Sequence, residues 1–380
     1  MTTVEKKPLA PIPLLSLAKQ HKALARELKK AVGAVLDSGV FIMGPNVRAF
    51  EQEFAALCSL PRVLGVDSGT SALELALKAC GVGPGDEVIV PTFTFIATAT
   101  AVSVVGGTPV MCDIDWATMT LSVEDARKKI TAKTKAIVPV HLFGQPADMD
   151  ALAALAKEKG LKVVEDAAQA HLALYKGRPI GGLGDVSCFS FYPSKNIGAA
   201  GDAGALAVAN ESLLRPLEEL RNCGREVGQA YRHARVGYNC RLDEMQAAVL
   251  RVKLAHLKEW TEKRRALAAY YDKNLKRLPL TLPPSADGQT SGSYHLYVIR
   301  SDRRDALAAH LKEQGIGTGV YYPIPVHRQP AYASLGLRDE DFPNAERACR
   351  EALALPMYPE LSRSEASRVV KAVKSFFKKA

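Results

Sequence analysis

Between residues 62 and 208 the chain alternates short apolar runs with longer helical segments, and this alternation constrains the fold more than any other feature. The runs are RVLGV (62–66), DEVIV (86–90), TPVMCDI (108–114), TKAIVPV (134–140), LKVVED (161–166), DVSCFSF (185–191) and AGALAV (203–208). They are apolar nearly throughout instead of at every second position, the pattern of strands buried on both faces. Spacers such as TSALELALKACG, FIATATAVSVVG and MDALAALAKEKG are long enough to form crossover helices, which parallel pairing requires. The expectation is an α/β fold, with about seven strands in a mainly parallel sheet sandwiched by helices.

After residue 240 the texture changes. From Leu242 to Leu278 an apolar period of helical type runs without a glycine or proline, which predicts one long connecting helix. A polar linker, PPSADGQTSGS (283–293), leads into YHLYVIR, further helical segments and GTGVYY, the pattern of a small C-terminal α+β domain. The expected division is 1–240 for an N-terminal arm and large α/β domain, and 241–380 for the connecting helix and small domain. A chain of 380 residues can bury a core for each.

Charge narrows the partners. Fifty Lys and Arg against 40 Asp and Glu give a net +10, an excess that would suit nucleic acid, a membrane surface or an anionic small molecule. The basic residues are scattered along helical stretches such as KQHKALARELKKA and KLAHLKEWTEKRR, with no nucleic-acid-binding signature, so solvated helix faces are the expected reading and neither nucleic acid nor membrane is an expected partner. The start, MTTVEKKPLAPIPLL, lacks the pattern of a secretory signal, and a cytoplasmic location is expected. Seven cysteines without a CxxC pair or a Cys/His cluster support neither a disulfide framework nor a zinc site, and no metal is expected from motif spacing.

In an open parallel sheet, ligands gather beyond the carboxyl ends of the strands. Four such places carry unusual residues. In VDSGTSALELAL (66–77), Ser68-Gly69-Thr70-Ser71 passes from strand to helix through small residues that let a phosphate approach the helix start. An ordinary Ser/Thr N-cap explains the same residues and, taken alone, is the simpler reading. In PTFTFIAT (91–98), Phe93 and Phe95 follow a strand, where a ring either stacks on a flat ligand or joins the core. In KVVEDAAQAH (162–171), Asp166 ends a strand and Gln169 follows it; a carboxylate among valines and alanines needs a partner, either a ligand or the next helix start.

The fourth is FSFYPSKNIGAAGDAGALAV (189–208), which sets Ser190 and then Lys195 between an aromatic run and a glycine- and alanine-rich one. A lysine in apolar surroundings loses basicity and becomes an amine nucleophile able to form a Schiff base. A phosphate cradle, a stacking ring, an acid and such a lysine are together what pyridoxal phosphate requires, the acid keeping the pyridine nitrogen protonated.

At these residues the chain resembles the DegT/DnrJ/EryC1/StrS aminotransferases, a nucleotide-sugar branch of the fold-type I pyridoxal phosphate enzymes. The resemblance runs through GVFIMGPNVRAFEQEFA (39–55), SGTSALELAL, DEVIVPTFTFIATA, PVHLFGQPADM (139–149), VEDAAQAHLALYKGRPIGGLGDVSCFSFYPSKN, VGYNCRLDEMQAAVLRVKL (236–254), VYYPIPVHRQPAY (320–332) and LALPMYPEL (353–361). It implies that Lys195 forms the internal aldimine and shuttles the proton, with pyridoxamine 5'-phosphate as the intermediate form. Asp166 would pair with the ring nitrogen and Gln169 would contact the ring hydroxyl. Gly69, Thr70, Ser71 and Ser190 would hold the phosphate, with Phe95 on the ring face. Asn239 would reach the phosphate of a neighbouring subunit, implying a homodimer with shared sites, and Tyr322 and His327 match a segment near the sugar.

The resemblance further implies L-glutamate as amino donor and a keto sugar on dTDP or UDP as acceptor, with a basic surface around the mouth of the site to collect it. GDAGA (201–205) stands where many members carry GEGG, a form that leans toward 3-keto over 4-keto sugars. A dehydratase on the same scaffold would carry histidine in place of Lys195. A non-catalytic sensor retaining the fold is the rival from another class.

Overall fold

In the computed structural model, residues 10–286 and 289–378 are described. The strands are β1 (Val63–Val66), β2 (Glu87–Pro91), β3 (Thr108–Cys112), β4 (Thr134–Ile137), β5 (Lys162–Asp166), β6 (Leu174–Tyr175), β7 (Arg178–Pro179), β8 (Val186–Ser190), β9 (Gly204–Val208), β10 (Tyr297–Arg300) and β11 (Ala352–Leu355). The helices are α1 (Leu17–Ser38), α2 (Pro45–Cys58), α3 (Gly69–Ala79), α4 (Ala97–Val104), α5 (Val123–Lys129), α6 (Met149–Lys159), α7 (Leu214–Arg221), α8 (Glu244–Leu254), α9 (Leu257–Leu275), α10 (Arg304–Glu313), α11 (Pro343–Glu351) and α12 (Arg363–Lys378).

The seven apolar runs become one seven-stranded sheet in the order β1-β9-β8-β5-β4-β2-β3. Pairing is parallel from β8 through β5, β4 and β2 to β3. β9 alone runs against its neighbours β1 and β8. Successive residues of a strand face opposite sides, so Val88 and Val90 of β2 enter one core while Ile89 enters the other. Helix α3 covers the first side, carrying Ala72, Leu73 and Ala76 into the core. Helix α2 covers the second with Val47, Phe50 and Phe54. Burying each such side chain stabilises the fold by roughly 1.5–3 kcal/mol, which is why runs apolar at every position become central strands.

The predicted single helix over 242–278 is two. α8 ends at Leu254 and α9 begins at Leu257, with Ala255 and His256 between them. The apolar period runs unbroken across the junction because Leu254 and Leu257 both pack under the large sheet. Only tertiary packing distinguishes the halves: α8 lies on α1 and α2, whereas α9 carries Ala268, Tyr271 and Leu275 into a third core around β10, β11, α10 and α12. β10 and β11 form a separate antiparallel pair. No helix among the described residues is long and apolar enough to cross a membrane. All seven cysteines are free thiols.

Candidate active site

The carboxyl ends of β1, β5 and β8, with the turn that follows β2, open into one cavity of about 720 Å³. Residues from elsewhere in the chain close it, among them Leu14 and Leu15 of the N-terminal arm, His295 and Leu296 at the entry to β10, Tyr321 and Tyr322 beyond α10, and Met357 beyond β11. The arm is held there by Ile12, whose backbone pairs with Gly315 and Gly317.

At the β1–α3 turn, Ser68 caps the helix, its Oγ accepting from Ser71 N–H at 3.0 Å. The same hydroxyl lies 2.9 Å from Ser71 Oγ. Ser71 is thereby committed to the cap, and Gly69 and Thr70, not Ser71, face the cavity. Glycine is required at 69 by a close approach: a Cβ there would lie 2.7 Å from Ser190 Cβ. This contact brings the start of α3, with its unpaired N–H groups, against the end of β8.

Asp166 ends β5 and is 6% exposed. One carboxylate oxygen accepts from Thr98 Oγ1 at 2.8 Å, the other from Ala168 N–H at 3.2 Å. Burial raises its pKa from the ordinary value, against the opposing pull of Thr98, Ala168 and the Lys195 charge. Gln169 accepts from Phe143 N–H at 2.6 Å and donates to the Tyr322 hydroxyl at 3.3 Å. It therefore joins the large sheet to the segment that closes the cavity. Phe93 is buried in the core, while Phe95 is 54% exposed. Phe95 lines the cavity with its ring centroid 6.2 Å from that of Tyr322.

Lys195 sits between Ser194 and Asn196 in the turn after β8 and faces the cavity. Its ammonium is pulled down to about 8 by burial, with the Asp166 charge acting the other way. A lysine tuned in this way is an amine nucleophile near neutral pH. Next to it, the Asn196 side chain donates to Ser293 O at 2.9 Å and lies 3.2 Å from His295 Nδ1. These contacts pin the chain just after the lysine. Asn239 is exposed, bridges to Asn222, and lies outside this cavity.

His327 does not enter the cavity. Its ring is turned into the core, with Nδ1 2.7 Å from Thr92 Oγ1 and the ring 4.3 Å from that of Phe342. The proline-rich segment bends after Tyr322, so the tyrosine faces the cavity and the histidine faces away from it. Among the described residues the lining carries one Lys or Arg, Lys195, against two carboxylates, Asp166 and Asp202. The basic mouth expected from the net charge is not part of it.

Sequence reasoning missed His295, Tyr192, Tyr321, Asp202 as a lining carboxylate, and the two leucines of the arm. For His295 a signal existed: a histidine opening an otherwise apolar strand run. It is buried, and burial and the Lys195 charge hold its ring well below the ordinary histidine range.

A sequence model of the "DegT/DnrJ/EryC1/StrS aminotransferase family" matches residues 22–374. The chain is 48% identical over 366 residues to a dTDP-3-amino-3,4,6-trideoxy-alpha-D-glucose transaminase of Streptomyces venezuelae, covering 96% of each chain. Among solved structures, Streptomyces venezuelae DesV, in complex with a ketimine intermediate, superposes with TM-score 0.94 at 47% identity, over 98% of this chain and 100% of that one. A Bacillus subtilis protein, NtdA, solved with bound cofactor PMP, superposes with TM-score 0.90 at 31% identity, over 98% of this chain and 87% of that one.

The cavity fits that cofactor. It offers the Gly69 backbone at a helix start beside the Ser190 hydroxyl, a buried carboxylate at Asp166, and a lysine amine whose charge is weakened by burial.

Proposed function

The chain belongs to the DegT/DnrJ/EryC1/StrS family of pyridoxal-phosphate-dependent sugar aminotransferases, and from this premise we propose that it transfers the amino group of L-glutamate to a 3-keto hexose carried on dTDP or UDP. The observation that carries the reading is the Lys195 amine, tuned to about 8 and sharing one cavity with the Asp166 carboxylate. Support for the ring carbon comes from the Streptomyces venezuelae relative, whose product is a 3-amino sugar, and from the GDAGA form of the turn after Lys195.

In this reading the Lys195 amine would hold the cofactor at its aldehyde carbon and, once the amino group of the substrate displaces it there, the freed amine would take a proton from the substrate carbon and return it. A base titrating near the working pH is suited to both directions. Asp166 holds the proton of the ring nitrogen, kept in place by Thr98 and Ala168. Gln169 meets the ring oxygen. The N–H groups at Gly69 and Thr70, with the Ser190 hydroxyl, hold the phosphate; the Ser71 hydroxyl orients Ser68 at the helix start. Phe95 covers one ring face, and Tyr322 stands beside it toward the sugar. Pyridoxal phosphate itself supplies the electron-withdrawing ring that takes up the electron pair left when the substrate carbon loses its proton.

The working unit in this reading is a homodimer in the cytoplasm. Asn239, exposed and outside the cavity of its own chain, reaches the phosphate held by the partner. The neighbouring Tyr231 and Val236, 95% and 93% exposed, are apolar surface that such a contact would cover. Seven free thiols accord with a reducing compartment.

The test is a panel of dTDP- and UDP-linked 3-keto and 4-keto hexoses, with 2-oxoglutarate release followed enzymatically. Turnover preferring the 3-keto sugars by about tenfold or more, roughly 1.4 kcal/mol, supports the reading. Preference for the 4-keto sugars moves the aminated carbon, and turnover of neither removes the sugar substrate.

A further inference from the structure

Behind β2, away from the cavity, lies a second cluster of titratable groups. His327 is 4% exposed and Glu346 of α11 is 8% exposed. His327 Nε2 and Glu346 Oε1 are both buried without a hydrogen-bond partner, although they lie 3.3 Å apart. Asp339 Oδ1, from the 3-10 turn Asp339–Asp341, lies 3.4 Å from the same nitrogen. A charge-assisted N–H···O bond would be shorter, about 2.7–2.9 Å. For ligands about 2.0–2.1 Å from a tetrahedral metal, the ligand-to-ligand edge is roughly 3.3 Å, close to both separations. All three ligand atoms lie within 4.8 Å of one another.

We propose that His327, Asp339 and Glu346 form a three-ligand site for a divalent transition-metal ion of zinc type, with water at the fourth position. One imidazole nitrogen and two carboxylate oxygens are a donor set that zinc accepts. The outer partners are in place. Thr92 Oγ1, 2.7 Å from His327 Nδ1, accepts the Nδ1 proton and leaves the Nε2 lone pair for the metal. Arg328 lies 3.3 Å from Glu346 Oε2, the oxygen not offered to the ion. Arg350 lies 3.8 Å from that oxygen, and Arg328 is 3.7 Å from Asp339 Oδ1. These guanidinium groups compete with the ion for the carboxylates and moderate its affinity.

None of the three ligands lines the cavity, so the ion is a brace and not a reactant. It ties the segment after Tyr322, the 339–341 turn and α11 to Thr92, at the end of β2. Thr94 and Phe95, the next cavity residues, follow directly.

The holoenzyme, treated with chelator and desalted, is titrated with Zn2+ alone and with Co2+ as an absorbing probe. The expected result is one ion per chain, a visible Co2+ band of four-coordinate type and a raised Tm. Asp339→Asn, a change at a half-exposed side chain that spares the fold, weakens the binding at least about tenfold, the scale set by outer-shell partners alone. His327→Gln does the same. Substoichiometric binding overturns the proposal. So does full binding with unchanged affinity in Asp339→Asn, which places the ion on other groups such as the thiols.

Discussion

Gly69 and Ser190 meet where the first helix turn of α3 crosses the end of β8, so closely that a methyl group on Gly69 would lie 2.7 Å from Ser190 Cβ. The contact places helix N–H groups beside a strand-end hydroxyl, which is what a phosphate pocket needs. Neither side can move cheaply: the glycine opens a helix and the serine closes a central strand. Gly69→Ala should cost about 1–3 kcal/mol, the usual range for overpacking, and should weaken cofactor binding about tenfold or more. Circular dichroism for the fold and an absorbance titration with pyridoxal phosphate separate the two effects.

Lys195 should give cofactor capture a pH profile. Its ammonium titrates near 10.5 when unperturbed and near 8 in the folded chain. The capture rate of the cofactor-free protein should rise as pH passes through about 8 and then level off. Between the two values the unfolded chain holds the extra proton, so the stability of the cofactor-free protein rises with pH there. Removing the Asp166 charge in Asp166→Asn should shift the midpoint of capture to lower pH, because that charge raises the lysine pKa. Stopped-flow absorbance across pH 6–10 reads the midpoint directly.

The same Asp166→Asn variant should bind the cofactor and lose turnover. Thr98 and Ala168 orient the side chain and can hold an amide in its place, but an amide cannot keep a ring nitrogen protonated. A fall in kcat of roughly 10²–10³-fold, the scale of removing a preorganised electrostatic partner, is expected with the fold intact.

The apolar runs made the sheet legible because every position of a strand buried on both faces carries a signal: β1, β8 and β9 are buried at every residue. The reversed direction of β9 was not legible, since a strand reads the same in either direction. Lys195, Asp166 and Gln169 could be found because each stands where the chemistry of its neighbours changes. Leu14 could not, as it reaches the cavity from a distant part of the chain. His327 lies five residues after Tyr322 in the sequence, but the bend between them turns the tyrosine into the cavity and the histidine toward Thr92.

Gln169 and Tyr322 should act as a unit. Their 3.3 Å bond links the cavity-facing side of the large sheet to the closing segment. In a double-mutant cycle, Gln169→Ala and Tyr322→Phe should show a coupling of about 0.5–1.5 kcal/mol, read as substrate KM or as Tm.

A buried pair behind the site should govern stability. Glu165, 0% exposed, accepts from Leu183 N–H, Gly184 N–H and Ser187 Oγ at 2.8, 2.7 and 2.6 Å and lies 3.1 Å from His141 Nε2. Burial alone would raise its pKa, but His141, Ser187 and Gly184 outweigh it and hold the carboxyl below its ordinary value. Its stabilisation is therefore present at neutral pH and lost as pH falls below the ordinary carboxylate range. Glu165→Ala should lower stability by about 1–3 kcal/mol or more in urea unfolding at pH 7, because the buried N–H and O–H groups that it accepts from are left without a partner.

In the function proposed above, Lys195 bonds the cofactor and moves the proton in amino transfer. The most direct measurement is the visible spectrum of the purified protein with pyridoxal phosphate, before and after L-glutamate, in the natural chain and in Lys195→Ala. The expected result is a yellow absorbance band that glutamate bleaches, that a keto nucleotide sugar restores, and that is missing in Lys195→Ala. A band that forms equally without Lys195, or that glutamate leaves untouched, would contradict it and favour a sensor that keeps the fold without the chemistry.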